Sequence, residues 1–517
     1  MGKKYLMYLL SIVGVAGIII FFHLGSLPLL DPDEPVYAQT AHEMLQFHDF
    51  ISPRIYGDFW YDKPPMYYWL VAVAFKIFGI GEFAARFPSA LLALCGVVLI
   101  YIAGSALFNN RTGLLSGMIL ATSVEYVYLA KAAVTDITLT FCITAALLAF
   151  LSKRYYLFYV CAALAVLTKG PVGILLPGCI VLLYILFTAN YQELKRIKLF
   201  SGGFLFLAIT MPWYLAMYHY HGNAFVETFL GFHNMTRFLK PEHAEGTLWY
   251  YYIPVLIIGF FPWSAFIPQA ILGLFRAKHG KERDTLLFLV IWVCVIFVFF
   301  TLSQTKLVSY ILPVFPPLAL ISGWYLDKSW TEQNRKAFTT GASILAVLAS
   351  LFAVALLYTG YKLVPGIIPG AIASLILFGL MVVSVGWFSY RSNYQAVVYT
   401  KVVGMMIFLL VLIEVIFPAA APSFSMRDFT MQFKEHYDGG APVYVAKFYR
   451  PGFMFYSGMP GFEIIDRVQL VEAIHKQQKS YFIVKKKEYN MLPLIDQQQL
   501  NLLAELEDKV LLVNKIN

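Results

Sequence analysis

Three polar patterns in this chain have the residue types and spacing for group transfer from a phosphate. Asp31-Pro-Asp33-Glu34 crowds three carboxylates into four residues. Like charges that close disfavour joint ionisation, which prepares one of them to take a proton. Lys63 stands before Pro64-Pro65. The prolines restrict the backbone around it, and a lysine point charge suits a phosphate monoester. Arg237 has a fork of donors that can hold a leaving phosphate through two parallel hydrogen bonds. Asp136, Lys131, Lys169, His233, His243, Lys306 and Tyr310 are the other polar residues of the same set of loops. Acids beside cations suit an anionic lipid phosphate together with a proton acceptor. The sequence has no G-x-x-x-x-G-K-[ST] loop, no H-E-x-x-H and no G-x-S-x-G, so a nucleotide site, a zincin and an α/β-hydrolase elbow are not indicated. Each candidate has a plainer use. Asp33 can cap the helix that Pro35 opens. Lys63 can snorkel to the interface, and Arg237 can touch lipid headgroups.

The elements that position these residues are apolar. Of 517 residues, 59% are hydrophobic and 13% charged, with a mean hydropathy of +0.68. Soluble domains carry about 25% charged residues. A cytosolic enzyme, a disordered scaffold and a fibrous protein are therefore excluded, and recurrent apolar runs of about 20 residues indicate a polytopic α-helical membrane protein. The net charge of +9 does not indicate nucleic acid, because Lys and Arg lie in short loops that set topology. All five cysteines lie in apolar runs, so neither disulfides nor a thiolate metal site is expected.

Apolar runs near 5–27, 87–108, 112–130, 137–151, 155–168, 171–189, 199–218, 249–275, 284–302, 310–326, 338–358, 367–390 and 396–417 make 13 expected spans. The positive-inside rule then places the N-terminus in the cytoplasm and the C-terminus outside. Met66–Ile80 is too short for a span and reads as an interfacial helix. Counting it as a crossing would move every basic cluster to the outer side. The expected domains are 1–417, a membrane domain with its first outer loop at 28–86, and 418–517, a small outer α/β domain. In the latter, Val443–Lys447, Glu463–Ile465 and Tyr481–Val484 read as strands, and Val468–Lys476 and Asp496–Glu507 as helices.

On this topology the candidate residues share the outer face, and several motifs carry a resemblance. The segment Asp31-Pro-Asp-Glu-Pro-Val-Tyr-Ala-Gln-Thr-Ala-His-Glu-Met resembles the first outer-loop motif of the polyprenyl-phosphate-sugar-dependent transferases of the C-type glycosyltransferase superfamily. Lipid A aminoarabinose transferases and protein O-mannosyltransferases are among the relatives it resembles. Tyr61-Asp-Lys-Pro-Pro-Met-Tyr-Tyr-Trp-Leu, Phe78-Gly-Ile-Gly-Glu-Phe, Thr135-Asp136, Thr168-Lys-Gly-Pro171, Phe261-Pro-Trp263 and Lys306-Leu-Val-Ser-Tyr-Ile-Leu-Pro313 extend the likeness over residues 1–325.

The resemblance implies a catalytic acid at Asp33 and a second acid at Asp136. It implies donor-phosphate contacts from Lys63 and Arg237, and substrate contacts from Glu34, Tyr37, Tyr61, Lys306 and Tyr310. It further implies an inverting transfer from a polyprenyl phosphate donor, with undecaprenyl phosphate the expected lipid, to lipid A or another outer-face acceptor such as a protein at the bacterial inner membrane. No cofactor is expected. His233 and His243 are the one candidate metal pair, and their spacing is unlike a zinc signature. A lipid-linked sugar flippase and a scaffold whose C-terminal domain recruits a partner are the rival readings. A transporter would place its polar residues and broken helices near mid-bilayer. The sequence places most of them in loops.

Overall fold

Backbone groups in a bilayer must pair within their own segment, which leaves helices for an apolar chain of this kind. The computed structural model describes residues 3–236, 248–274 and 280–515, apart from the side chains of residues 233–235. Among the described residues, eight helices have the length and composition of a membrane crossing: Lys3–Phe21, Glu82–Leu107, Leu199–Phe232, Lys281–Leu302, Val308–Thr331, Arg335–Lys362, Pro365–Tyr390 and Tyr394–Phe424. The number rises to ten if each of two bent pairs is one span. Asp136–Leu151, Tyr155–Lys169 and Val172–Thr188 lie where three further spans are expected, but have only 16, 15 and 17 residues. They are shorter than the roughly 20 residues of a usual crossing.

The bends have local causes. Asn110–Ala121 meets Val124–Ala130 at 66°. There the hydroxyls of Thr122 and Ser123 donate to the carbonyls of Met118 (2.6 Å) and Ile119 (2.7 Å), a back-bonding that bends helices. Tyr252–Gly259 meets Trp263–Leu274 at 108°, where Pro262 has no N–H to continue the ladder. The Trp263 indole donates to Thr122 Oγ1 at 2.9 Å, tying one break to the other. Helices Glu82–Leu107 and Asn110–Ala121 approach so closely that a Cβ on Gly104 would stand 2.9 Å from Gly113 Cα. Small residues permit such packing where lipid supplies no hydrophobic drive.

The chain forms two compact units. One is Met1–Phe22, Tyr61–Tyr67 and Arg86–Leu412; the other is His23–Trp60, Tyr68–Ala85 and Ile413–Asn517. Most of the first loop, placed by sequence in the membrane domain, thus groups with the C-terminal residues, while Tyr61–Tyr67 stays with the membrane helices.

In this second unit, a five-stranded sheet runs in the spatial order Phe462–Ile464, Val443–Ala446, Tyr481–Lys485, Lys509–Asn514, Leu500–Leu506. The first three strands are parallel to one another, and the last two are antiparallel additions. Tyr481 and Ile483 face one apolar cluster with Phe429, Phe433 and Phe453, while Phe482 and Val484 face another with Leu470 and Ile474. A strand covered on both faces reads as a continuous apolar run.

The three expected strands are present, and helix Arg467–Ile474 matches its expectation. Asp496–Glu507 does not form one helix. Its start is the short helix Leu494–Gln498, and Leu500–Leu506 is a strand paired with Lys509–Asn514 through a turn at Glu507, φ 56°. The Val510–Val513 run supplies the partner that a local reading of 496–507 lacks.

Candidate active site

In the membrane-helix unit, the end of one helix meets the start of another. Asp136 is the first residue of Asp136–Leu151 and Lys169 the last of Tyr155–Lys169. An acid at a helix N-terminus and a cation at a C-terminus each oppose the helix dipole favourably. The two side chains pair at 2.7 Å, 10% and 14% exposed. Gly170, at φ 78°, ends the lysine's helix. The Lys169 amine also lies 4.5 Å from the centre of the Tyr310 ring, a cation–π distance.

Asp62 lies within electrostatic reach of Lys169 and carries Lys63 with it. The Lys63 amine donates to Asp62 Oδ1 at 2.8 Å. Both side chains are partly open, at 15% and 13%. Pro64 and Pro65 follow, and helix Met66–Phe78 begins at once. The Tyr61 ring rests 5.3 Å from His221 and 5.9 Å from Phe225. Two ion pairs thus lie in this unit, Asp136–Lys169 at short-helix ends and Lys63–Asp62 just before helix Met66–Phe78, with Asp62 in electrostatic reach of Lys169; such charges can hold a phosphate ester and orient what attacks it.

Lys306 belongs to the same unit. It is 6% exposed and donates to Ser303 O at 2.7 Å, and burial pushes its amine below the usual lysine range. Lys131 donates to the carbonyls of Ile19, Ile20 and Phe22 at 3.3, 3.0 and 2.5 Å. It closes the C-terminal end of the first helix, a structural duty.

The other acids lie in the second unit and differ sharply from one another. Asp33, the first residue of helix Asp33–Gln46, is exposed. Glu34 is 4% exposed and its Oε2 accepts the Leu30 N–H at 2.8 Å, which closes the helix start. Tyr37 is buried with its ring 5.9 Å from that of Tyr68. Asp31 is sealed. Burial pushes its carboxyl well above the usual range, against the opposing pull of Lys509 and of the Met426 and Gly452 amides.

The structure therefore gathers Lys63, Asp136 and Tyr310 in the first unit and Asp33, Glu34 and Tyr37 in the second. Arg237 and His243 lie outside the described residues, as does the His233 side chain. Among the described residues, no three His, Cys, Asp or Glu side chains gather as metal ligands.

Sequence reasoning left four residues without a role. Lys169 and Asp62 complete the ionic cluster. Two consecutive short helices of nearly equal length bring the first residue of one beside the last of the next, so the 136–169 spacing was the available signal. Glu125 is 4% exposed in Val124–Ala130, within electrostatic reach of Asp136. It is the one acid in its apolar run, and an intramembrane acid signals function by itself. Lys401 is fully buried in Tyr394–Val411, its amine 3.9 Å from the Phe266 ring centre. Glu125 and Lys401 are thus two polar groups within helices, where the sequence reading expects few.

Comparison with known proteins follows the same outline. Residues 62–215 match the family model described as dolichyl-phosphate-mannose-protein mannosyltransferase. An uncharacterized protein of Aquifex aeolicus is 32% identical over 359 residues, covering 68% of this chain and 69% of its own. The undecaprenyl phosphate-alpha-4-amino-4-deoxy-L-arabinose arabinosyl transferase 1 of Pseudomonas fluorescens is 29% identical over 367 residues, covering 67% of this chain. The match spans 63% of that relative's length. The crystal structure of ArnT from Cupriavidus metallidurans bound to undecaprenyl phosphate aligns over 98% of both chains, with a TM-score of 0.81 and 23% identity. That likeness establishes the fold.

Proposed function

The chain belongs to the polyprenyl-phosphate-sugar-dependent glycosyltransferases of the C-type superfamily, of the aminoarabinose transferase and protein O-mannosyltransferase type, and we propose that it moves an aminoarabinose-like sugar from undecaprenyl phosphate to lipid A. The observation that carries this reading is the cluster of Lys63, Asp62, Lys169 and Asp136 in a multi-pass membrane protein. A lipid-linked donor brings its own leaving group, so such a site needs charge complementarity and orientation more than covalent help.

In the proposed step, the bond from the sugar's anomeric carbon to the phosphate oxygen breaks as the bond to the acceptor oxygen forms. One displacement of this kind inverts the centre. The lipid phosphate leaves with the bonding pair, its charge met by Lys63 and by Arg237. Asp33 takes the proton of a hydroxyl acceptor. A lipid A phosphate is already an anion, and Asp33 then only orients it. Asp136 positions the acceptor or the sugar, while Tyr61, Tyr310, Lys306, Glu34 and Tyr37 line or brace the substrate region. No cofactor is needed, because lysines match the leaving charge.

The proposed setting is the bacterial inner membrane, with thirteen crossings, a cytoplasmic N-terminus and the α/β domain outside. The match at 62–215 favours a second acceptor class, a protein hydroxyl. The two joined helix breaks favour a lipid-linked sugar transporter as the rival. Mass analysis of outer-membrane glycolipids and proteins, with and without the gene, tests the reading. Loss of a sugar from lipid A alone supports it, loss from proteins alone selects the O-mannosyltransferase-like alternative, and an unchanged profile refutes transfer.

A further inference from the structure

The segment that carries Asp33 is fastened to the C-terminal α/β fold at three points. The Leu29 N–H donates to the Tyr456 hydroxyl at 2.7 Å, and that hydroxyl donates to Glu82 Oε1 at 3.2 Å. Arg427 reaches the same Glu82 oxygen at 3.7 Å. The Asp31 N–H donates to Phe424 O at 2.8 Å. Third, the buried Asp31 carboxyl packs against Gly452, so close that a Cβ there would strike it.

Lys509 completes the fastening from strand Lys509–Asn514. Its side chain is fully buried, and its amine donates to Pro422 O at 2.8 Å and Ser423 O at 3.1 Å. Those carbonyls end helix Phe417–Phe424, whose last residue accepts the Asp31 N–H. A cation satisfying the free carbonyls of a helix end is stabilising. One buried lysine thus fixes the strap to which Asp31 is bonded.

We infer that Asp31, Gly452 and Lys509 form a clasp by which the C-terminal domain positions Asp33 for transfer, with Asp31 and Lys509 as positioning residues. The clasp acts through geometry. Residues 22–32 lie outside regular helix, and fixing such backbone costs roughly 1–2 kcal/mol per residue in entropy, which local contacts must offset. Asp33, two residues beyond the sealed Asp31, is exposed and inherits its placement from that anchor. On this account residues 413–517 are part of the transfer machinery rather than only a recruitment module. The inference rests on the reading that Asp33 serves sugar transfer.

The test uses full-length protein in lipid nanodiscs and three variants, Gly452→Ala, Lys509→Met and Asp31→Ala, with Asp31→Asn as the conservative control. Transfer from a polyprenyl phosphate aminosugar is followed together with amide hydrogen exchange of residues 33–46. A misplacement near 1 Å can cost up to about 100-fold in rate. The expected result is a fall in kcat of roughly 10- to 100-fold in the three variants, with donor KM within about twofold, because the phosphate grip is untouched. Exchange in 33–46 accelerates in the same three, and Asp31→Asn regains most of the lost kcat. Unchanged exchange overturns the clasp. Faster exchange with wild-type kcat overturns its positioning role. Should Lys509→Met fail to fold, Gly452→Ala decides, since it leaves the loop's own side chains intact. A wild-type protein that exchanges as expected but transfers no sugar refutes the transfer reading and the positioning role with it, and leaves the clasp supported by exchange.

Discussion

The ionic cluster of one unit and the clasp of the other handle charge in different ways. In the cluster, ions answer ions: Asp136 pairs with Lys169, and Lys63 with Asp62. In the clasp on the C-terminal sheet, buried polar groups answer backbone, and Lys509 meets the exposed Asp508 at 3.3 Å besides. Lys509 holds the carbonyls of Pro422 and Ser423, and Asp31 packs against Gly452. Removing one partner of an ion pair strands a charge, whereas removing an ion that grips backbone mainly loosens a segment. Substitutions in the cluster should therefore act through electrostatics, and those in the clasp through placement.

The largest effect should come from Lys169→Met. It leaves Asp136 buried without its counter-charge, for which about 3–5 kcal/mol of lost stability is typical. The double variant Lys169→Met with Asp136→Asn should recover most of that stability in thermal unfolding while transfer stays lost. Recovery of both would make the pair purely structural.

Lys63→Met should come next, raising donor KM by roughly tenfold or more while the fold stays intact, since about 1.4 kcal/mol of phosphate binding is a factor of ten. Titration with the polyprenyl phosphate donor measures it, and an unchanged KM would remove Lys63 from the phosphate site. Asp33→Asn should leave stability within about 0.5 kcal/mol, as exposed substitutions usually do. It should sharply lower kcat for a hydroxyl acceptor. Near-full transfer to such an acceptor would refute the base role.

The smallest effect is expected from Lys401→Met. Lys401 is sealed against Phe266 and Trp263, and replacing a costly buried ion by an apolar group of similar shape is often neutral or stabilising. Its unfolding temperature should equal or exceed that of the parent, with transfer unchanged. A loss of transfer would place function at that depth of the bundle and strengthen the transporter reading.

The sequence made the helical membrane architecture legible because apolar run length reports directly on bilayer thickness. The strand at Tyr481–Val484 was legible for a similar reason, as a short apolar run between polar ends. The error at Asp496–Glu507 arose because the strand Leu500–Leu506 is defined by a partner that follows it, and pairing is not a local property. Asp33 and Lys63 stood out by type and by flanking prolines. Glu34 stood out by its acidic neighbours, and its buried oxygen closes the start of its own helix. Lys169 gained its importance from a helix-end juxtaposition, and Asp31 from residues more than 390 positions away. Such long-range placement leaves no mark in a local motif.

The central claim is that a sugar leaves a lipid phosphate at this site, and product balance tests it most directly. Purified protein in proteoliposomes would be given a polyprenyl phosphate aminosugar and lipid A, with free polyprenyl phosphate and sugar-modified lipid A quantified together by mass spectrometry. The account predicts that the two products rise in equal amounts, and that Lys63→Met suppresses both. Movement of intact donor between leaflets, with no free polyprenyl phosphate released, would contradict it.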